Sequence, residues 1–164
     1  RNYYFYIGRL GLQKHPEIAV KVCSELDLPL KVAGTGQMLP RLKQMAGDSI
    51  DFLGAVSDEE LWQLYAQAKA LIYPVEDEDF GIVPVEAMAA GTPVIAHNSG
   101  GPKETIQSGL SGLFVKDFEL DSWKKALTQF KQTQFDYQKI SQASLKYSVQ
   151  NFKKNIKQLI NKIN

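Results

Sequence analysis

Two glutamates, Glu78 and Glu86, have the type and spacing that could bind the hydroxyl groups of a sugar. Glu78 lies in a loop predicted after a strand, and Glu86 lies in the first turn of a helix predicted from Pro84. A carboxylate there could accept hydrogen bonds from both hydroxyls of a vicinal diol, as acidic residues do for a ribose. Unpaired backbone N–H groups at the same helix start attract anions such as phosphate. A simpler interpretation is that Glu86 only complements the helix dipole and Glu78 belongs to an exposed acidic run, residues 76–79.

Two cations, Arg9 and Lys14, stand five positions apart in the loop predicted after the first strand. Arginine presents two donors to phosphate oxygens, and lysine adds a compact positive charge. Together they suit a leaving diphosphate, whose developing negative charge needs fixed cations. An ordinary surface loop explains any single pair of cations equally well.

Other loops that follow predicted strands carry weaker signals. Residues 34–36 read Gly-Thr-Gly and resemble half of a dinucleotide-binding fingerprint, but Leu39 stands where a third glycine is expected. Gly100 and Gly101 mark a loop in which the backbone approaches something closely. His97 could act as a base or a ligand, although a histidine at a strand end is more often a polar residue at the rim.

Short apolar strands alternate with helices along the chain. This pattern predicts an α/β fold with a Rossmann-like, three-layer α/β/α arrangement and a parallel sheet of about six strands. Ligands of such sheets bind outside the carboxyl ends of the strands, where the candidate residues lie. The predicted strands are 3–8, 30–34, 50–54, 70–74, 93–96 and 112–115, and the predicted helices are 17–28, 38–46, 57–68, 84–90, 103–108, 121–130, 137–147 and 151–163.

The composition excludes several classes of protein. With 164 residues, of which 44% are hydrophobic and 23% charged, the chain suits one globular domain over 1–164 and is neither disordered nor collagen-like. Its apolar runs are far shorter than the roughly 20 residues of a membrane span. The single cysteine, Cys23, excludes an internal disulfide and a cysteine-based zinc site, and it favours a reducing, cytoplasmic setting.

The charge is unevenly distributed, since residues 1–115 carry a net −5 and residues 116–164 a net +6. The lysines of the second segment are spread singly, which favours a solvated helix face over a nucleic-acid-binding patch. Peripheral contact with the inner face of the plasma membrane, or with a lipid-linked acceptor, stays open as an alternative.

A longer pattern resembles the signature of the retaining glycosyltransferases of family four, or glycosyl transferases group 1, which have the GT-B fold. It runs through residues 71–74, 78–96, 100–101 and 104–106, and it is far more specific than any of its parts. Gly8-Arg9-Leu10 followed by Lys14 resembles the family's phosphate-binding loop. The sequence of residues 79–87 resembles that of a bacterial branch of the family that includes mannosyltransferases of surface polysaccharides. This resemblance favours GDP-mannose as the donor. Further blocks of the family match in the same order at residues 34–36, 52–57 and 109–113.

The resemblance implies roles for the charged residues. Arg9 and Lys14 would bind the donor diphosphate, and Glu86 would bind the ribose. Glu78 would bind the transferred sugar and is the implied catalytic residue. Family members often have glycine after the loop lysine, where this chain has His15.

The resemblance also implies roles for backbone around these side chains. The amides of Phe80 and Gly81 would lie beside the sugar, and the start of the helix at Pro84, including Val85, would meet the β-phosphate. Backbone near Val56 would hold the base. The substrate would be a GDP- or UDP-linked hexose, with neither a further cofactor nor a metal.

GT-B enzymes have two Rossmann-like domains with the active site between them, so the resemblance implies that this chain is the C-terminal, donor-binding half. The acceptor-binding N-terminal half would be absent, and the fragment alone would not transfer sugar. Helices from about residue 137 would cross back to the missing domain. Their apolar residues would then lack part of their partner, namely Phe152, Ile156, Leu159, Ile160 and Ile163.

Three alternatives remain open at this level. One is a GT-B nucleotide-sugar epimerase, and another is a metal-dependent transferase that uses Asp77 and Asp79. The third is a non-catalytic nucleotide-binding or receiver-type module. A receiver needs an aspartate at the end of its central strand, whereas the first four predicted strands end in Gly8, Gly34, Gly54 and Pro74.

Overall fold

The computed structural model describes residues 1–163, with side chains through residue 162. It is a six-stranded parallel sheet in the order β3-β2-β1-β4-β5-β6, with helices on both faces, as the sequence predicts. The strands are β1 (Tyr3–Ile7), β2 (Leu30–Ala33), β3 (Ile50–Gly54), β4 (Ala68–Tyr73), β5 (Val94–His97) and β6 (Gly112–Val115). The helices are α1 (Pro16–Glu25), α2 (Leu39–Met45), α3 (Asp58–Gln67), α4 (Ile82–Ala89), α5 (Pro102–Thr105), α6 (Leu120–Gln132), α7 (Tyr137–Ser144) and α8 (Val149–Ile163).

The aromatic strand β1 divides the core into two layers. Successive side chains of a strand point to opposite faces, so Tyr4 and Tyr6 pack on the side of α1 and α6. Tyr3 and Phe5 pack on the other side, against Tyr65 and the helices α4 and α7. Because all four rings are buried, β1 is a central strand, and the loop that follows it is held by the core.

Three helices, α1, α5 and α7, end three residues before their predicted ends. α5 is shorter than predicted, since it ends at Thr105 and Ile106 is already extended. α7 ends at Ser144, and a separate 3-10 turn over Leu145–Tyr147 precedes α8. α3 begins as predicted, because Ser57 and Glu60 form a reciprocal capping box with hydrogen bonds of 2.9 and 3.3 Å.

The last helix exposes much of its apolar side. Phe152, Ile156, Leu159 and Ile160 are all solvent-exposed, and the side chain of Ile163 lies outside the described residues. No helix in the described part of the chain has the length and hydropathy needed to cross a bilayer.

Candidate functional site

The candidate site lies where the strand order reverses, between β1 and β4. The helices after these two strands pack on opposite faces of the sheet, so the loops diverge and leave a crevice at the carboxyl ends. A cavity of about 310 Å³ occupies this crevice. Lys14 lines it from the loop after β1, and Glu78, Phe80 and Gly81 line it from the loop after β4.

Lys14 and Glu78 meet across the cavity. The ammonium of Lys14 donates to Oε2 of Glu78, and the hydroxyl of Tyr73 donates to the same oxygen at 3.2 Å. The hydrogen bond from Lys14 holds the pKa of Glu78 below its usual value, against the opposing effect of partial burial. Burial and the neighbouring Glu78 carboxylate raise the pKa of Tyr73, so Tyr73 stays a neutral donor. The cavity therefore contains an ionised carboxylate with a fixed orientation.

The loop that carries Lys14 is ordered by its own backbone. Residues Leu12–Lys14 form a single 3-10 turn, in which the amide of Lys14 donates to the carbonyl of Gly11 at 3.1 Å. The hydroxyl of the buried Tyr6 donates to the carbonyl of Lys14 at 3.3 Å. The next residue, His15, has a left-handed φ of 47°, which is the conformation that favours the glycine expected there from the resemblance.

Arg9 lies beside this cavity rather than in it. It is exposed and lines an adjoining hollow of about 340 Å³ together with Lys14 and Gln37. Lys14 lines both spaces, so the two predicted cations line one hollow at the end of β1 and Lys14 also reaches the cavity of Glu78. Among the described residues, Arg9 forms no ion pair, and its charge is therefore available to an anion.

Two glycines allow the loops of the site to pack backbone against backbone. A Cβ on Gly34 would lie 1.9 Å from the carbonyl oxygen of Gly8, and a Cβ on Gly101 would lie 2.4 Å from that of Asp79. The amide of Gly101 also donates to the carbonyl of Glu78 at 2.7 Å. The close approach predicted at Gly101 is confirmed, and its partner is the acidic loop of the same chain.

Glu86 lies further along its helix than the sequence predicts. α4 begins at Ile82, because Gly81 takes a left-handed φ of 78° and the first turn accommodates Pro84. The prediction that Glu86 lies in the first turn is wrong, and that turn contains no acidic residue to complement the dipole. Instead, Oε2 of the half-buried Glu86 accepts a hydrogen bond of 3.0 Å from the buried Tyr65.

The start of α4 forms one wall of the cavity. Phe80 and Gly81 line this wall just before the helix, and among the described residues no side chain caps the helix start. Its first N–H groups therefore lack an intrahelical partner and suit an anion. Val85 is half-buried in the same turn, but it does not line the cavity.

Val56 lies apart from the other predicted residues. It follows β3, which β2 separates from β1, and it lines a third cavity of about 340 Å³ with Leu53, Ala55 and Glu60. The structure thus brings Lys14, Glu78, Phe80 and Gly81 into one cavity, with Arg9 adjoining it, and places Val56, Val85 and Glu86 outside it.

Sequence reasoning missed the two tyrosines that hold the glutamates. Tyr73 ends the buried strand β4, and Tyr65 lies on the inner side of α3. A buried tyrosine hydroxyl needs a hydrogen-bond partner, and this is the signal that could have connected them to Glu78 and Glu86.

The other candidate ligands, His97, Asp77 and Asp79, differ from one another in burial. His97 is buried, and its Nδ1 lies 2.9 Å from Oγ of Ser99. Asp77 and Asp79 are both exposed. Within the described part of the chain, no group of three or more His, Cys, Asp or Glu side chains is arranged to hold a metal ion.

Comparison with known proteins places the fold and the motifs in a family. The profile of the family described as glycosyl transferases group 1 matches residues 1–152. The O-antigen chain mannosyltransferase RfbU of Salmonella typhimurium is 32% identical over 160 residues, which cover 93% of this chain and 45% of that protein. A GDP-mannose-dependent alpha-mannosyltransferase of Corynebacterium glutamicum is 35% identical over 116 residues, 70% of this chain and 28% of that protein.

The solved structures agree on the fold. The structure of Anabaena HepE in complex with UDP superposes with a TM-score of 0.82 at 22% identity, over 98% of this chain and 49% of that chain. The chain spans less than half the length of each of these three proteins. On the strength of the matched profile, the chain belongs to the glycosyl transferases group 1 family.

Proposed function

We propose that this chain binds the nucleoside diphosphate of a nucleotide-sugar donor and forms the donor half of a retaining hexosyltransferase, with GDP-mannose as the donor. The observation that carries this proposal is the meeting of Lys14 and Glu78 in one cavity against the uncapped start of α4. A cation and a helix N-terminus both bind a diphosphate, and a carboxylate accepts hydrogen bonds from the hydroxyl groups of the attached sugar.

The diphosphate would lie at the end of β1. Arg9 and Lys14 line one hollow there, and Ile82 and Val83 of the first turn of α4 line the adjoining cavity together with Lys14. Negative charge develops on the leaving diphosphate as the bond to the sugar breaks, and fixed positive groups stabilise it. Arg9 and Lys14 would supply this stabilisation without a metal ion.

Donor binding would exchange the partner of Lys14. In the free chain the ammonium of Lys14 is bonded to Glu78, and an arriving diphosphate competes for it with more negative charge. Glu78 would then accept hydrogen bonds from hydroxyl groups of the sugar, while the hydroxyl of Tyr73 still donates to its Oε2. The ion pair with Lys14 would thus keep Glu78 ionised in the free chain. Its loss on donor binding would leave the Glu78 carboxylate available to the sugar.

Glu86 would bind the ribose. Its Oε2 is held by Tyr65, so its other oxygen is free to accept from a hydroxyl. Backbone near Val56 would hold the base in the separate cavity that it lines.

The choice of GDP-mannose is supported by two relatives named as mannosyltransferases, one of them GDP-mannose-dependent. The acceptor, a saccharide or a lipid-linked saccharide, would bind to an N-terminal domain that closes the cleft. Transfer needs both substrates held in line in a water-poor cleft, so the chain alone would bind the donor without transferring sugar.

Calorimetric titration of the chain with GDP, UDP, ADP, GDP-mannose and UDP-glucose tests the proposal, each with and without EDTA. We expect GDP and GDP-mannose to bind most tightly and EDTA to have no effect. Replacing Lys14→Met should cost about 1.5–3 kcal/mol of GDP binding, the range for a charge-assisted hydrogen bond.

The exposed Lys21 on α1 lines none of these cavities, so Lys21→Met is the matched control and should bind GDP like wild type. Absence of binding by every nucleoside diphosphate, or equal affinity of the two variants, would overturn the assignment of the site. Preference for UDP would keep the site and correct the donor.

A further inference from the structure

The ring of Phe118 is stacked between two histidine rings. Its centroid lies 4.3 Å from that of His15, with the planes at 27°, and 4.2 Å from that of His97, at 17°. Two rings cannot share one face of a phenyl ring at these distances without overlapping, so the histidines lie on opposite faces. The three residues come from three separate segments, which follow β1, end β5 and follow β6.

On one side, the stack holds the segment that carries Lys14. His15 is joined directly to Lys14, closes the 3-10 turn through its amide at 3.2 Å from the carbonyl of Leu12, and precedes α1. Its left-handed φ of 47° is unfavourable for a residue with a side chain. Stacking on Phe118 holds one face of the His15 ring, while its Nδ1 lies 3.2 Å from Oε1 of Glu17 at the start of α1.

On the other side, the stack holds the segment that carries Glu78. Nδ1 of His97 lies 2.9 Å from Oγ of Ser99, and the same Oγ accepts the amide of Asp77 at 3.1 Å. Asp77 also has a left-handed φ, of 49°, and it directly precedes Glu78. His97 thus reaches the acidic loop through one serine hydroxyl.

These contacts form a closed circuit. It runs from Lys14 through His15, Phe118 and His97 to the loop of Glu78, and the Lys14–Glu78 ion pair closes it. The two sides of the cavity are therefore connected twice, once by a polar contact that faces the cavity and once by an aromatic stack behind it.

We propose that Phe118 is a positioning residue of the donor site, whose ring keeps the loop of Lys14 and the loop of Glu78 in register. The role in donor binding rests on the proposed function. When a diphosphate takes the ammonium of Lys14, the front connection opens, and the stack at Phe118 is the connection that remains. Loss of the ring therefore loosens both loops in the free chain and separates them further in the donor-bound one.

Hydrogen–deuterium exchange of the ligand-free chain tests the proposal through peptides that cover residues 9–15 and 76–81. Phe118→Leu keeps most of the volume and removes the ring, and it should raise exchange at least threefold in both peptides. Phe118→Tyr keeps the ring and should restore wild-type exchange.

A matched control is Phe130→Leu, since Phe130 is also partly buried and stacked, on Phe135, in a different part of the fold. It should leave both loops unchanged. Acceleration confined to residues near 118, or equal acceleration of the loops in the Phe130→Leu chain, would overturn the proposal.

Variants of the two histidines, each of which removes the ring on one face of Phe118, keep the test valid if Phe118→Leu does not fold. His15→Asn retains a residue that tolerates the left-handed conformation and should accelerate only the peptide 9–15. His97→Leu should accelerate only the peptide 76–81. Acceleration of neither loop in its own variant would contradict the circuit.

The exchange readout needs no ligand, so it separates this proposal from the proposed function. Phe118→Leu should also weaken GDP binding about fivefold, with recovery in Phe118→Tyr. If the loops respond as described but wild type binds no nucleoside diphosphate, the proposed function fails and the coupling of the loops stands. If GDP binds and neither exchange nor affinity responds to Phe118→Leu, the coupling fails alone.

Discussion

The hydroxyl of Tyr65 donates a hydrogen bond of 3.0 Å to Oε2 of Glu86, from a ring that is fully buried. The ring also packs edge-on against Phe5 of β1, with centroids 5.4 Å apart. Glu86 is therefore oriented by a contact between α3 and α4 that the central strand supports. A carboxylate fixed in this way loses little conformational entropy when it binds a diol.

Removing this hydroxyl should weaken nucleotide binding without unfolding the chain. Tyr65→Phe is expected to reduce GDP affinity about threefold to tenfold, because a hydrogen bond contributes about 1 kcal/mol net. Ser144→Ala is the control, since the hydroxyl of the buried Ser144 also donates to a backbone carbonyl, that of Ser141, at 2.7 Å, and Ser144 lines none of the three cavities. Calorimetry should show an affinity loss for Tyr65→Phe only, and an equal loss for both variants would mean that Glu86 is not a ligand.

The two members of the Lys14–Glu78 pair should respond in opposite directions to neutralisation. Glu78→Gln removes the anion that competes for Lys14, so GDP should bind several-fold more tightly than to wild type. Lys14→Met should bind GDP more weakly. Glu78→Gln should nevertheless weaken the preference for GDP-mannose over GDP, because it removes the acceptor proposed for the sugar hydroxyls.

Glu76→Gln removes a nearby exposed carboxylate that does not line the cavity. It is the control that distinguishes a direct contact of Glu78 with the ligand from the loss of one negative charge near the site. It should leave the ratio of the GDP-mannose and GDP affinities unchanged. Weaker GDP binding to Glu78→Gln, measured by calorimetry at equal ionic strength, would contradict the partner exchange.

The same ion pair predicts a pH dependence of stability. The pKa of Glu78 in the folded chain is lowered from an ordinary value of about 4.3, first by the hydrogen bond from Lys14. A carboxyl with a lowered pKa contributes stability that is present above the unfolded pKa and lost as pH falls through the folded one. The contribution of the pair should therefore begin to fall as pH drops through the ordinary glutamate range and should disappear only below the lowered pKa of Glu78.

Both side chains are partly exposed, at 36% and 27%, so solvent screening keeps the contribution of the pair below about 1 kcal/mol. Glu60, Asp117 and Asp136 also have lowered pKa values, and wild type loses stability in acid through them as well. The informative quantity is the difference in unfolding free energy between wild type and Lys14→Met from pH 6 to pH 3. This difference should shrink toward acid, and a constant difference would exclude the pair as its source.

Most of the fold could be predicted from the sequence because its elements are set locally. Apolar runs bounded by glycine or proline predicted six strands, and Ser57 with Glu60 predicted the start of α3. The start of α4 was predicted two residues too late, at Pro84 instead of Ile82. Proline is common in the first turn of a helix, so it was taken as the first helical residue when it is the third. Gly81 decides the start through its left-handed backbone, which the sequence alone does not reveal.

The site could be predicted only in part, for a similar reason. The loops after β1 and β4 meet at one cavity, as predicted, since parallel strands bring their carboxyl ends to one edge. The hydrogen bond from Tyr73 to Glu78 and the stack on Phe118 depend on how separate elements pack, and no local spacing encodes them. These contacts between distant elements orient the charged groups that the sequence had identified.

The packing of the loop after β2 on the loop after β1 gives a last prediction, for Gly34→Ala. A methyl group on Gly34 would lie 1.9 Å from the carbonyl oxygen of Gly8, at a φ of +125°. Backbone must move to relieve such an overlap, so urea unfolding should show a loss of more than about 3 kcal/mol. GDP binding should fall with it, since Gly8 opens the loop that carries Arg9 and Lys14.

Gly109→Ala separates the overlap from the backbone strain. Gly109 also has a left-handed φ, of +81°, but no atom in the described part of the chain lies within 4 Å of its added methyl group. It should therefore cost only about 1–2 kcal/mol, the penalty for a side chain in that conformation, and should leave GDP affinity unchanged. If the two alanine variants lost equal stability, the contact between Gly34 and Gly8 would not be what fixes the loop after β1 and positions Lys14.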